Sequence, residues 1–272
     1  MTTTGIRRGD QADAHEPIAA GPAARARDVL RSEWTKLRSV RSTYGALAVA
    51  AVVSLAGSLL FALPAGRRAP LPDPVAFSFI GWAEYPVLAV GILGVLAFTS
   101  EFTTGQIRTT FTAVPRRLGV LAAKTAVIGS LALVFGELLA LASFSLTQAL
   151  LSRQGGGVSL FHPRVLGAVL AAGFVLAVVA VIGVAFGAAI RHTAGAIAAL
   201  PVVFYLPLVL LGLPSWWSHR IDRFTLPFAA YQVVALHPAT DLLAPALSML
   251  VLIAWPAIAL AAAAVLITRR PA

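Results

Sequence analysis

Two carboxylates interrupt long apolar runs of this 272-residue chain. Glu84 lies near one end of such a run, and Glu137 lies near the middle of another. An ionised carboxylate at mid-bilayer depth costs about 2.5–3.5 kcal/mol, so each should face a protein interior, pair or bind a proton. Two interpretations stay open, a substrate-path or proton-relay site and a neutral Glu that hydrogen-bonds between helices. Glu137 is the better functional candidate, because Trp82 and Tyr85 indicate an interfacial position for Glu84.

A second group of chemically distinctive residues lies in the polar segment 100–124, which has apolar sequence on both sides. The segment offers a carboxylate, threonines, a glycine, a proline and several basic residues. Thr103 followed by Gln106 matches a capping box, in which the two side chains satisfy unpaired amides at the beginning of a helix. The pattern therefore predicts that a helix begins near Thr103.

An apolar stripe follows this predicted cap. Ile107, Phe111 and Val114 recur at i, i+4 and i+7, and Pro115 ends the pattern. The spacing predicts an amphipathic helix about 18 Å long, connecting two apolar runs. Such a helix fits the groove of a soluble partner. The alternative is that its stripe lies on lipid headgroups while the neighbouring basic residues hold the loop inside the cell.

Residue patterns typical of catalysis and metal binding are missing from the sequence. Lys36 and Lys124 are its only lysines and neither follows glycine, so no phosphate-binding loop is present. There is no cysteine, no H-E-x-x-H pattern, and no nucleophile paired with a base within the apolar runs. The sequence therefore predicts neither an enzyme nor a metal site nor a cofactor of its own.

The composition determines which kind of element must position these residues. Hydrophobic residues make up 58% of the chain, charged residues only 12%, and the mean hydropathy is +0.85. About 20 apolar helical residues cross a bilayer, and the runs are continuous rather than alternating. The prediction is an all-α polytopic membrane protein with six transmembrane helices. The predicted spans are 44–63, 77–99, 125–151, 165–190, 195–213 and 242–268.

The net charge of +10 is mostly a signal of orientation. With both termini cytoplasmic, 15 of the 21 basic residues lie inside and six lie outside. This bias fixes the predicted topology by the positive-inside rule. It also makes nucleic-acid binding a poor interpretation of the charge.

The predicted spans are flanked by segments of a different character. Residues 1–24 have no apolar period and are predicted to be a disordered cytoplasmic tail without a cleaved signal peptide. In 25–42, Leu30, Trp34 and Leu37 form one stripe, which predicts an amphipathic helix at the membrane interface. The alternative is a plain basic flank of the first span.

The segment 214–241 joins aromatic residues and two arginines to an apolar stretch that is too short to cross. It predicts either a re-entrant or interfacial helix at the outer surface or an aromatic belt. Its aromatic residues are Trp216, Trp217, Phe224, Phe228 and Tyr231.

The order of residues in the polar segment resembles the first cytoplasmic loop of type-2 ABC export permeases. That loop has an acidic residue, a Gly/Thr pair, a proline with a nearby arginine, and a lysine that begins the next helix. Here the order is Glu101, Thr104-Gly105 in reverse of the usual order, Pro115-Arg116-Arg117 and Lys124. The stretches "LRSEWTKLRSVRST" and "LPSWWS" to "LPF" also resemble the entry helix and outer loop of that family.

The resemblance implies the permease subunit of an ATP-binding cassette exporter in the plasma membrane. Such a subunit pairs with a second permease subunit, as a homodimer or with a close paralogue, and with cytoplasmic ATPase subunits that bind the ATP. Segment 100–124 would carry the coupling helix. The implied coupling residues are Glu101, Thr104, Gly105, Ile107, Arg108, Phe111, Pro115, Arg116, Arg117 and Lys124.

Two further hypotheses compete with an exporter subunit. An ion-coupled secondary transporter would use Glu137 and need no ATPase. An intramembrane enzyme has the least support, for the reasons given above. The chain has 19 arginines and only two lysines. This composition indicates GC-rich coding DNA and thus a bacterial source.

Overall fold

A computed structural model describes residues 22–39, 41–65, 73–82, 86–105, 117–210 and 221–269 of the chain. Within these ranges the chain is helical and contains no β-strand, which confirms the all-α fold class. The helices are α1 Pro22–Ser39, α2 Arg41–Ala65, α3 Pro74–Phe77, α4 Pro86–Thr103, α5 Arg117–Ser152, α6 Val165–Ile190, α7 Thr193–Leu210, α8 Leu226–Val234 and α9 Pro245–Arg269. Most of the predicted tail, 1–24, lies outside the described residues.

Five helices, α2, α4, α5, α6 and α9, are long and apolar enough to cross a bilayer. The fifth predicted span corresponds to α7, whose described apolar part, Thr193–Pro207, is shorter than the others. Six crossings and cytoplasmic termini therefore stay predictions. The predicted span 165–190 coincides with α6.

The predicted second span, 77–99, is not one continuous helix. Phe77 ends the short helix α3, a 3-10 turn follows at Ile80–Trp82, and α4 begins only at Pro86. Proline is favoured in the first turn of a helix, because its missing N–H has no partner there in any case. The side chain of Asp73 caps α3 by accepting from the amides of Val75 and Ala76 at 3.0 and 2.8 Å.

The predicted third span, 125–151, lies within a longer helix. Helix α5 begins at Arg117 and has 36 residues, which corresponds to a length of about 54 Å. Because α4 also continues to Thr103, most of the described part of the predicted loop 100–124 belongs to these two helices.

Helix α6 forms the centre of the bundle, and 72% of its most apolar 18-residue stretch is buried. Glycines let its neighbours approach closely. A Cβ atom added at Gly183 of α6 would lie 2.1 Å from the carbonyl oxygen of Gly91 in α4. One added at Gly136 of α5 would lie 2.5 Å from the carbonyl oxygen of Gly173 in α6. Backbone contacts of this kind fix α4 and α5 on either side of α6.

Buried polar side chains stabilise the end of the bundle that lies opposite the beginning of α5. Gln148 donates to the carbonyl oxygen of Pro74 at 2.8 Å, and Asp73 accepts from the amide of His237 at 2.8 Å. Gln232 in α8 donates to the carbonyl oxygen of Leu243 at 2.7 Å. These bonds hold the connection before α4 and the segment after α8 against the bundle.

Part of the aromatic segment 214–241 is described. Helix α8 has nine residues, too few to cross a bilayer. Phe224 and Tyr231 are exposed, Phe228 is half-buried, and Trp216 and Trp217 lie outside the described residues. Whether the segment is re-entrant or a belt stays a matter of prediction.

Candidate functional site

Four charged side chains from three helices meet at one end of the bundle. Lys124 in α5 donates to Glu33 in α1 at 2.6 Å and to Glu101 in α4 at 2.7 Å. Lys36 in α1 donates to both carboxylates at 2.8 Å. The two lysines of the chain thus alternate with two glutamates. We call Glu33, Lys36, Glu101 and Lys124 the ion-pair cluster.

Three members of the ion-pair cluster are buried. Glu33, Glu101 and Lys124 are only 6%, 4% and 3% exposed, whereas the side chain of Lys36 is 45% exposed. Buried charges are tolerated when opposite charges and hydrogen bonds compensate each one. The alternation of two ammonium groups and two carboxylates meets this condition. The three helices are therefore joined by ion pairs that are largely shielded from water.

The ion pairs keep Lys36 protonated. Partial burial alone would lower the pKa of Lys36, but hydrogen bonds to Glu101 and Glu33 outweigh it, and the pKa lies above its ordinary value of 10.5. The resulting stabilisation is fully present below pH 10.5 and is lost as the pH rises through the raised pKa. The cluster therefore keeps this charge at physiological pH.

Aromatic rings connect the ion-pair cluster to the core. Phe98 and Phe102 in α4 stack with ring centroids 5.9 Å apart. The ammonium of Lys124 lies 5.7 Å from the Phe98 ring centroid, and the guanidinium of Arg191 lies 5.4 Å from that of Phe102. These distances are typical of cation–π contacts. Because Arg191 follows α6, the contacts tie the cluster to the central helix.

The prediction that Thr103 begins a helix is wrong. Thr103 lies in the last turn of α4, and its hydroxyl donates to the carbonyl oxygen of Ser100 at 2.9 Å. Gly105 follows with a positive φ of +72°, and its amide donates to Phe102 at 3.3 Å. A left-handed glycine after the last turn is a common helix end. Gln106 lies outside the described residues.

Replacing Gly105 with alanine should lower the free energy of unfolding by about 1 kcal/mol, because a Cβ atom disfavours the left-handed conformation. The measurement is a denaturation midpoint in detergent. Gly45→Ala in α2 is the control, since a Cβ atom there meets no other atom within 4 Å. This control should gain about 0.5–1 kcal/mol. Equal effects of the two substitutions would contradict the assigned helix end.

The structure brings some of the predicted coupling residues together. Glu101 and Lys124 pair directly, and Thr104 and Gly105 are exposed just after the cluster. Arg117 begins α5 and donates to the carbonyl oxygen of Ile267 in α9 at 3.1 Å. The remaining ones lie outside the described residues: Ile107, Arg108, Phe111, Pro115 and Arg116.

Sequence reasoning did not single out Glu33 and Lys36. A signal was present, because Glu33 lies three residues after Leu30 and four before Leu37, within the apolar stripe of α1. Leu37 packs against the bundle, whereas Leu30 and Trp34 are 39% and 44% exposed. The face of α1 that meets the bundle is therefore centred on the carboxylate rather than on the whole apolar stripe.

Glu137 is separate from the ion-pair cluster. It lies 13 residues beyond Lys124 in α5, which corresponds to about 20 Å. Its Oε2 atom is buried and has no hydrogen-bond partner within the described ranges. A Cβ atom at Gly173 would lie 2.6 Å from the carboxyl carbon, so the group rests against the backbone of α6. Glu84 lies outside the described residues, which contain no group of three metal-ligating side chains.

The fold and the site fit one class, the polytopic helical membrane proteins. Five apolar helices of sufficient length, with a charged cluster at one end of the bundle, are typical of that class. No protein-family model and no curated protein matches the chain.

Proposed function

We propose that the chain is the membrane-spanning permease subunit of an ATP-binding cassette exporter of the type-2 class. A separate cytoplasmic ATPase subunit would bind and hydrolyse the ATP. The observation that carries the proposal is the ion-pair cluster. It joins the residues before and after segment 106–116, Glu101 and Lys124, to the amphipathic helix α1 through Glu33.

This geometry suits the transmission of force. A push on segment 106–116 acts on the end of α4 and the beginning of α5. Removing one partner from a buried ion pair costs about 3–5 kcal/mol, so α1, α4 and α5 should move together rather than separate. Because α4 packs closely along α6 through Gly91 and Gly183, the displacement reaches the centre of the bundle.

The proposed setting is the plasma membrane, with both termini cytoplasmic and a second permease subunit beside this one. The bias of basic residues supports this orientation. The hydrogen bond from Arg117 to Ile267 supports it too, since it brings the beginning of α5 next to the end of α9.

The double variant Ile107→Glu and Phe111→Glu should abolish co-purification of the proposed ATPase subunit with this chain. Two carboxylates would interrupt the apolar stripe that is predicted to dock in the partner. Affinity purification followed by measurement of ATP turnover tests this. Thr109→Glu with Thr112→Glu is the matched control, because these residues lie mostly off the stripe. Normal co-purification and stimulation with the Ile107/Phe111 variant would contradict the proposal.

Glu137 supports a second candidate, an ion-coupled secondary transporter. A buried carboxyl oxygen with no partner among the described residues is a suitable proton-binding group inside a bundle. Proton uptake into proteoliposomes that contain this chain alone, abolished by Glu137→Gln, would favour this function. Transport that requires ATP hydrolysis by the ATPase subunit would favour the exporter.

A further inference from the structure

A cavity of about 900 Å³ lies between α1, α2, α4 and α5 and adjoins the ion-pair cluster. Its size is within the usual range of small-molecule sites. All four helices contribute to its wall, with Leu37, Val49, Leu96 and Val127 among the lining residues. We call this cavity the α2–α4 groove.

The lining of the α2–α4 groove changes from apolar to polar along its length. On α4 it passes from Ile92 and Leu96 to Ser100 and Thr104. On α2 it passes from Val53 back to Thr43, towards the same end. The polar end is the one that holds the ion-pair cluster. A ligand that fits this lining has an elongated apolar part and a polar head.

The length of the groove matches one leaflet of a bilayer. Thr43 and Val53 are ten residues apart on α2, which corresponds to about 15 Å. The hydrocarbon core of a bilayer is about 30 Å thick, so one leaflet contributes about 15 Å. An acyl chain that runs along α2 would therefore place its headgroup beside the ion-pair cluster.

The charge exposed at the polar end is positive. The cluster has no net charge, but its two carboxylates and Lys124 are buried, whereas the side chain of Lys36 is 45% exposed. At the membrane interface predicted for α1, a half-exposed lysine side chain attracts anionic lipid.

We propose that the α2–α4 groove binds one anionic phospholipid from the leaflet beside α1. Its phosphate lies at Lys36, and one acyl chain lies along Val49, Val53 and Leu96. The bound lipid fills the space between α2 and α4 next to the ion-pair cluster. This site does not depend on an ATPase partner, so it can be tested on the purified chain alone.

The deciding variant is Gly45→Trp. Gly45 lines the groove, and a Cβ atom added there meets no atom within 4 Å, so an indole can occupy the space of the lipid. Native mass spectrometry of the purified chain, titrated with dioleoylphosphatidylglycerol in neutral detergent, should show one tightly bound lipid on the wild type. Gly45→Trp should weaken its binding at least tenfold.

Gly167→Trp is the matched control. Gly167 lies on the exposed side of α6 with no atom within 4 Å of an added Cβ, and it does not line the groove. This variant should retain the bound lipid. Loss of the lipid from both variants, or its retention by both, would overturn the proposal.

Lys36→Gln tests the headgroup contact. Phosphatidylglycerol should bind about fivefold more weakly to this variant, because a lysine near the membrane surface contributes about 1 kcal/mol to the attraction. The preference over dioleoylphosphatidylcholine should disappear. An unchanged preference would show that Lys36 does not hold the phosphate.

A photo-crosslinking side chain at Val49 identifies the occupant directly. In membranes, we expect crosslinks to phospholipid. Crosslinks to residues 1–21 of this chain, to a second copy or to another protein would replace the lipid with that occupant and refute the proposal. None of these results depends on whether the chain is an exporter subunit.

Discussion

A Lys124→Met variant should lose about 3–5 kcal/mol of its free energy of unfolding, the largest effect that we expect from a single substitution. Lys124 is 3% exposed and donates to two buried carboxylates at 2.6 and 2.7 Å. Methionine has a similar length, so loss of packing is a small part of the effect. The main part is the burial of two carboxylates with only Lys36 left to compensate them.

The measurement is the midpoint of unfolding in mixed detergent micelles, compared with that of Lys36→Met. The side chain of Lys36 is 45% exposed, so its loss leaves Lys124 in place and admits water to the carboxylates. This control should lose much less stability than Lys124→Met. Equal midpoints for the wild type and Lys124→Met would contradict the burial of the cluster.

A second substitution separates electrostatics from packing. Glu33→Gln introduced into Lys124→Met removes one uncompensated charge, so the double variant should be more stable than Lys124→Met alone. The two residues are in contact, and their effects should therefore not add. Additive losses would show that the effect of Lys124→Met comes from packing and not from charge.

The apolar elements of the fold were predictable because burial and length leave a clear signal. The predicted span 165–190 coincides with α6, since Pro163 and Arg164 precede the run and Arg191 follows it. Apolarity alone does not reveal that Pro86 begins a new helix within the predicted span 77–99. The prediction that a helix begins at Thr103 is wrong for a related reason. The hydroxyl of Thr103 bonds within the last turn of α4 instead of capping the next helix.

The site was predictable only in part. The resemblance singled out Glu101 and Lys124, which do form a direct pair. Glu33 lies 91 residues from Lys124 in sequence, and helical periodicity says nothing about such a distant contact. Helical periodicity shows only that the carboxylate of Glu33 interrupts the apolar stripe of α1. Which charge compensates that carboxylate depends on how α1 packs against α5, and this is a property of tertiary structure.

The contact between α4 and α6 leads to the second large effect, for Gly183→Ala. The added Cβ atom would lie 2.1 Å from the carbonyl oxygen of Gly91 and 3.0 Å from its carbon. Backbone atoms cannot rotate away, so the two helices must move apart. Overpacking of this kind destabilises by about 1–3 kcal/mol, occasionally more. Unfolding in detergent micelles measures the loss.

Gly167→Ala in the same helix is the matched control for Gly183→Ala, because no atom lies within 4 Å of its added Cβ. It should gain about 0.5–1 kcal/mol from the higher helix propensity of alanine. Equal stability of the two variants would contradict the close approach of α4 to α6. If α4 carries the push of an ATPase to the core, Gly183→Ala should also reduce coupling between ATP turnover and transport while the ATPase still co-purifies. In the proposed mechanism, docking would depend on segment 106–116, whereas transmission would depend on the contact that this substitution opens.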